Sequence, residues 1–259
     1  MIASPLACSV RRCGLPLERR DRVLVCAAGH SHDVARSGYV NLLQPQDRRS
    51  PAAGDARAAI EARARLLEAG VGRRLIERLA DLAASLPLLA SADGRARTIV
   101  DLGSGSGDAL AAAAARTSMA AIGIDLSTAA AEHAARRFPA LTWIVANADR
   151  RLPLLDASVD VVVSVHARRN PDECARVLVP GGFLIVAVPA ADDLIELRAA
   201  VHGAPVERDR VETVLTEHAR HFTLQDRSAI RERRTLDRAQ LLDALRGTYR
   251  GERDRKSVV

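Results

Sequence analysis

Aromatic residues and lysine are nearly missing from this 259-residue sequence. Phe, Tyr and Trp total six, and Lys256 is the one lysine among 38 basic residues. Tyr39 and Trp143 are therefore the visible candidates for stacking on a flat ligand. No run of 18 apolar residues free of charge occurs, which excludes a membrane span. Met1 to Arg12 shows no basic start followed by an apolar stretch, so no secretory signal is read. Four cysteines do not make a disulfide scaffold. Apolar residues, by contrast, make up 48% of the chain, enough for a substantial core and too many for wholesale disorder. The length suits one large domain, or one domain with a small appendage.

The net charge of +6 is unevenly placed. Residues 1–50 carry a net +4, residues 51–200 a net −1 and residues 201–259 a net +3. A basic N-terminal part on a neutral centre suits a polyanionic partner. Arginine is apt for phosphate because its planar fork donates two hydrogen bonds at once. A plain solvated surface, with arginine standing in for lysine, is the competing reading.

The chain divides by pattern. Residues 1–43 read as a small cysteine/histidine module. Residues 44–95 form a linker and helical segment: polar Gln44 to Asp55, then apolar residues near helical spacing, broken into two helices at Gly70 and Gly72. Residues 96–246 alternate strand and helix. Strands are expected at Thr98 to Asp101, Ala120 to Asp125, Leu141 to Val145, Val159 to Val165 and Gly182 to Val188. Helices are expected at 108–116, 128–137 and 171–178. Further helix follows, with a strand around Ser228 to Arg234 and a helix at 237–246. Residues 247–259 read as an irregular tail. Short apolar strands alternating with helices predict an α/β fold, a doubly wound, mostly parallel sheet covered on both faces. Cys174, alone in a helical run, reads as a small core filler, and Trp143 as core.

The run Val100-Asp101-Leu102-Gly103-Ser104-Gly105-Ser106-Gly107-Asp108 follows the first of these strands and opens a helix. Glycines let backbone approach a ligand closely, and a helix N-terminus offers unpaired N–H groups. Asp125 ends the next strand, where an acid can accept both hydroxyls of a ribose. Dinucleotide enzymes space their glycines G-x-G-x-x-G. The G-x-G-x-G spacing here, with an acid two residues before it, resembles instead the first motif of class I S-adenosylmethionine (SAM) methyltransferases. That resemblance gives Asp101 the orientation of the loop and of the ligand's positive end. It makes Gly103, Gly105, Ser106 and Gly107 the cradle, Asp125-Leu126 the ribose motif, and Asn147-Ala148-Asp149 the adenine-edge motif.

Cys8, Cys13, Cys26 and His30 give C-x4-C-x12-C-x3-H. Zinc takes four such ligands in a tetrahedron, and two close pairs joined by a turn supply them. A segment this short cannot bury its own core, so a metal would hold it together. His32 is a rival to His30, and free reduced cysteines are the plain alternative.

Three blocks then converge: Cys13-Gly14-Leu15-Pro16-Leu17, Cys26-Ala27-Ala28-Gly29-His30, and Asp33 through Gly38-Tyr39-Val40-Asn41-Leu42-Leu43. They closely resemble the N-terminal module of the 23S ribosomal RNA (guanine-N1)-methyltransferases, a family that includes tylosin-type macrolide-resistance enzymes. The likeness continues through Pro45 to Arg65 and Asn170-Pro171-Asp172-Glu173. It implies a zinc module that helps bind an RNA hairpin of 23S rRNA, methylation of a guanine N1 near the peptide exit tunnel, a homodimer and a cytoplasmic location. The chain departs from the pattern with four residues, not two, inside the first cysteine pair. It also shows nothing after Leu245 that reads as the antiparallel strand which normally pairs between the fifth and sixth of such sheets, so a shortened reading frame is one expectation.

Guanine N1 carries a proton at neutral pH, so the reaction needs a proton acceptor. Asp149 and His166 lie at the C-terminal ends of strands, where sheets of this kind bind ligands, and either suits the role. The base must be unpaired or extruded, because N1 lies on its pairing edge. Two other readings stay open at this point: a SAM methyltransferase acting on a small molecule, and a truncated inactive remnant that binds RNA.

Overall fold

The computed structural model describes residues 4–47, 54–88, 94–202 and 210–247. The N-terminal part is a three-stranded antiparallel sheet, β1 (Leu17–Arg20), β2 (Val23–Cys26) and β3 (Ser31–Asp33). A short strand β4 (Val40–Asn41) leaves it and joins the main sheet. Two helices follow, α1 (Arg57–Glu68) and α2 (Arg73–Ser85), split by Gly70 and Gly72, both at positive φ, as the sequence pattern predicts.

The main domain then alternates β5 (Thr98–Leu102), α3 (Asp108–Arg116), β6 (Ala120–Asp125), α4 (Thr128–Arg137), β7 (Thr142–Val145), β8 (Val159–Val165), α5 (Pro171–Val177) and β9 (Leu178–Ala187). The strands lie in the order β4-β7-β6-β5-β8-β9, and every pairing is parallel. Central strands β5 and β8 are buried almost throughout, which is why their sequences are continuous apolar runs. The last helices are α6 (Ile195–His202), α7 (Val211–His218) and α8 (Arg238–Gly247). Asp237 and Gln240 cap α8 reciprocally: each side chain accepts the other's backbone N–H, at 2.8 and 3.1 Å. Among the described residues no helix is long and apolar enough to cross a membrane.

Two expectations need correction. β9 begins at Leu178, not Gly182, because Leu178 pairs with Val159 ahead of a register shift in which Gly181 takes φ +78°. Ser228 to Arg234 is not a strand: among the described residues nothing pairs with the outer edge of β9, so a strand there has no neighbour. That segment is instead strapped to the first helices, Arg74 donating to the Arg231 carbonyl (3.0 Å) and Arg234 to that of Gly70 (3.1 Å). Tyr39, one of the two stacking candidates, packs on the cluster around Trp143 and Ala135. Residues 1–43, too short to bury a core of their own, share one with the main domain. Leu6, Cys8, Leu17, Leu24 and Cys26 share one apolar cluster with Val100, Ile122, Ile144 and Leu154 of the main domain. Backbone bonds from Ala7 to Pro153 and from Leu155 to Pro5 stitch the two together (2.9 and 2.8 Å). The expected tail lies outside the described residues, apart from Gly247.

Trp143 (1% exposed) and Cys174 are core, as expected, and burial pushes the Cys174 thiol up to about 12. The Trp143 ring also dictates two glycines. A Cβ on Gly123 would lie 2.3 Å from it, and one on Gly107 2.6 Å.

Candidate functional site

Two tight turns bring the cysteine/histidine residues together. In the first, Arg12 (φ +66°) and Gly14 (φ +69°) absorb the longer Cys8–Cys13 spacing. The turn closes through Cys13 N–H to Val10 O and Gly14 N–H to Cys8 O. In the second, Gly29 N–H donates to Cys26 O and Cys26 N–H to His30 O. Cys8, Cys13, Cys26 and His30 then offer ligand atoms that all lie within 4.8 Å of one another. His30 Nδ1 is 3.5 Å from Sγ of both Cys8 and Cys26, and the sulfurs of Cys13 and Cys26 are 3.8 Å apart. A zinc tetrahedron with ordinary bond lengths has edges of about 3.5 Å between nitrogen and sulfur and about 3.8 Å between sulfurs. The donor set fits zinc. His32 approaches Cys8 alone, at 3.6 Å, and stands outside the group. Burial drives the Cys8 thiol up to about 12, with Cys13 and Cys26 adding to the rise. Cys26 is the converse: burial opposes its ionisation, but N–H bonds from His30 and Ala28 outweigh it and bring the thiol to about 7. A divalent cation offsets the repulsion between such thiolates.

The glycine loop runs from the C-terminal end of β5 to α3. Asp101 is 2% exposed, and its Oδ1 has no hydrogen-bond partner. Burial, reinforced by the charge of Asp125, raises its pKa to about 7. Asp125 closes the loop: Oδ2 accepts from Gly105 N–H (2.9 Å) and Oδ1 from Ser127 N–H (2.7 Å). Each carboxylate oxygen retains a further lone pair. The three glycines have different tasks. At Gly105 (φ +53°) a Cβ would meet nothing nearer than Gly103 O, at 4.0 Å. Gly103 (φ +75°) is pressed by Ala167, where a Cβ would lie 2.3 Å from the alanine methyl. Gly107 makes way for Trp143. A cradle with an open glycine, an orphaned buried carboxylate and a second acid one strand away fits a nucleoside with a cationic end.

Other expected residues are brought near but are engaged. The Ser106 hydroxyl donates to Asp108 (2.6 Å). Asn147 donates to the Asp47 carbonyl (2.9 Å) and accepts from Asp149 N–H (3.0 Å). Ala148 packs on the core, and Leu126 is half-buried after β6. Asp149 is ion-paired with Arg168 at 3.4 Å. The linker lies against the turn that follows Asp125: Ser127 donates to the Asp55 carbonyl (2.6 Å), and Asp55 pairs with Arg63.

His166 follows β8 with φ +54°, a left-handed conformation rare outside glycine, held by its N–H bond to Ala187 O at 2.9 Å. Its imidazole lines a cavity of about 200 Å³ together with Arg169, Val188, Pro189, Arg210 and Thr213. Burial lowers its pKa, and Arg210 adds to the fall against the opposing effect of Asp193. Sequence reasoning missed Arg169 and its partner His218. The doubled arginine directly after an apolar strand was the available signal.

Residues 99–182 match the family described as "Methyltransferase domain", and residues 7–51 match "RlmA, N-terminal", a zinc ribbon. The chain is 39% identical, over 87% of its length and 78% of the relative's, to the 23S rRNA (guanine(748)-N(1))-methyltransferase of Streptomyces fradiae. It is 38% identical, over 92% of its length and 83% of the relative's, to a Micromonospora griseorubida protein called "Putative 23S rRNA (guanine-N(1)-)-methyltransferase". The chain belongs to the 23S rRNA (guanine-N1)-methyltransferase family. A Bacillus subtilis protein of matching description is 35% identical over 75% of the chain and 68% of the relative. Family membership brings with it a SAM-dependent methyltransferase domain and a zinc ribbon, and it supports this reading over a small-molecule methyltransferase or an inactive remnant.

Proposed function

We propose that the chain methylates N1 of a guanine in a hairpin loop of 23S rRNA, using SAM, in the cytoplasm. The observation that carries the reading is a single continuous core joining the four-ligand cluster to a glycine cradle with an orphaned carboxylate. Asp101 would face the cationic end of SAM, Asp125 its ribose, and Gly103, Gly105, Ser106 and Gly107 the rest of the cradle, with Leu126 and the Asn147-Ala148-Asp149 turn beside the adenine. SAM supplies an electrophilic methyl group on a sulfonium. Cys8, Cys13, Cys26 and His30 would hold zinc and fix residues 1–43, whose arginines meet the RNA backbone. Residues 96–246 would be the catalytic part, with residues 44–95 as linker and helices between.

Of the two candidate proton acceptors, Asp149 is paired with Arg168, whereas His166 lines a cavity and has no such partner among the described ion pairs. His166 is accordingly the acceptor: it would take the N1 proton and so free the nitrogen lone pair for the methyl group that bound SAM would supply. Macrolide resistance and a homodimer extend the same proposal.

Primer extension on 23S rRNA from a methylation-deficient host, with and without this chain expressed, tests it. N1 methylation blocks base pairing, so a new stop one nucleotide before a loop guanine is the expected result. Soluble, zinc-loaded protein that produces no stop would overturn the proposal. Growth on macrolides and size-exclusion mass measurement test the two extensions.

A further inference from the structure

We propose that the cavity between the C-terminal ends of β8 and β9 and helix α7 receives the extruded base, and that Arg169 identifies it as guanine by donating to O6. This deepens the guanine-N1 reading above and rests on it.

The cavity is the concave space beside the cofactor loop. Ala167, in its wall, presses on Gly103, so the residues that line it are tied to the cradle. At about 200 Å³ it is smaller than the roughly 300–1,000 Å³ clefts of drug-sized ligands, a size suited to one base.

Arg169 is held in one orientation. Its Nε donates to His218 Nε2 (3.1 Å), and its Nη1 donates to the Ala167 carbonyl (3.0 Å). His218 is itself buried, and its Nδ1 donates to the Val214 carbonyl at 2.7 Å. That bond places the ring proton on Nδ1 and leaves the Nε2 lone pair for Arg169. Both partners of the guanidinium are thus neutral. No described carboxylate forms an ion pair with it; Glu217 acts on it only through space. A fixed, half-buried cation with donors to spare needs an acceptor.

Guanine supplies one. Its O6 and N7 match the arginine fork, whereas adenine presents an amino donor where O6 would be. As N1 gives up its proton, negative charge spreads to O6, and a cation there stabilises that charge. Arg169 therefore selects the base and favours the ionised form that reacts. His166, at the same cavity, takes the proton.

The test uses full-length zinc-loaded protein and the hairpin in which the primer-extension stop maps. Synthetic hairpins carry guanine, inosine or 2-aminopurine at that position. Inosine keeps O6 and N1–H; 2-aminopurine lacks O6. Wild type should methylate guanine and inosine, and bind the guanine hairpin at least tenfold tighter than the 2-aminopurine hairpin. Arg169→Met should bind both equally, lose about 10²-fold in kcat, and keep its SAM affinity by calorimetry. Arg169→Lys, in case the methionine variant does not fold, should also retain SAM binding and lose most of the discrimination. Wild type that does not distinguish the two hairpins, or an Arg169 variant that still does, overturns the proposal while leaving guanine methylation standing. Absence of any stop with wild type overturns the functional reading itself.

Discussion

Replacing Asp101 by asparagine should make the ligand-free protein more stable and its hold on SAM weaker. The native carboxyl titrates at about 7, raised by burial and by Asp125 from an ordinary 3.8. Between those two values the native state carries a proton that the unfolded chain has lost. Stability therefore falls as the pH rises from about 4 to about 7, and the loss is complete above that. At 1.36 kcal/mol per unit the penalty reaches about 4 kcal/mol at pH 8, of which about 2–3 kcal/mol accrues between pH 5 and pH 8. Asparagine keeps the shape and removes the charge, while its own unpaired amide costs about 1–3 kcal/mol at every pH. The variant should overtake wild type at pH 8 by about 1–3 kcal/mol, with roughly 2–4 °C in Tm for each kcal/mol at this chain length. Urea and thermal melts of both proteins at pH 5, 6, 7 and 8, without SAM, give the difference in stability, from which the titrating groups not coupled to Asp101 cancel. A difference that does not change with pH would refute the reasoning. Titration of SAM into the same samples should show at least tenfold weaker binding by the variant, because the carboxylate facing the cationic end is gone.

Metal removal should be felt far from the metal. Chelation, or Cys13→Ser, should release one zinc per chain and lower the Tm of the whole protein, read by metal analysis and calorimetry; a separate N-terminal transition with the sheet unchanged would contradict the shared core. Asp160→Ala removes a carboxylate that is 3% exposed, accepts from Thr98 N–H at 2.7 Å and receives Arg95 in a bidentate pair at 2.8 and 3.0 Å. Urea denaturation should show a loss of about 3–5 kcal/mol, since the buried Thr98 N–H and the largely covered Arg95 lose that partner. Gly103→Ala must push Ala167 aside and adopt a φ disfavoured by a side chain. It should reduce kcat by about 10²-fold through displacement of the His166 turn, with zinc content unaltered; wild-type kcat would show that the contact has no bearing on catalysis.

The main domain was legible because its signals are local. Apolar strands end at glycines or acids, and α3 and α4 run over the residues that periodicity marks. The cysteine spacing likewise marked the four residues that the fold brings together, although only three-dimensional closure separates His30 from His32. What escaped was non-local. Strand β4 is two residues long, and only its place beside β7 makes it a strand. Ser228 to Arg234 has strand-like composition, yet a strand is a pairing before it is a sequence, and no partner lies beside it. Arg169 reads as one more surface arginine until His218, 49 residues later, folds back onto it.

The glycine motif shows why a pattern match and a site are different statements. The three glycines of Gly103-Ser104-Gly105-Ser106-Gly107 look alike in sequence, but only at Gly105 would a Cβ meet no close neighbour, the nearest atom being Gly103 O at 4.0 Å. Gly107 is small for the sake of Trp143, and Gly103 for the sake of Ala167. The first of these contacts fastens helix to sheet. The second fastens the cofactor loop to the turn that carries His166 and Arg169. A ligand that orders the loop must therefore act on that turn as well, so the cradle and the base cavity form one mechanical unit. It follows that SAM should tighten binding of the guanine hairpin and the hairpin tighten binding of SAM by the same factor. Gly103→Ala, which disturbs the contact between them, should abolish that coupling even where either ligand still binds alone.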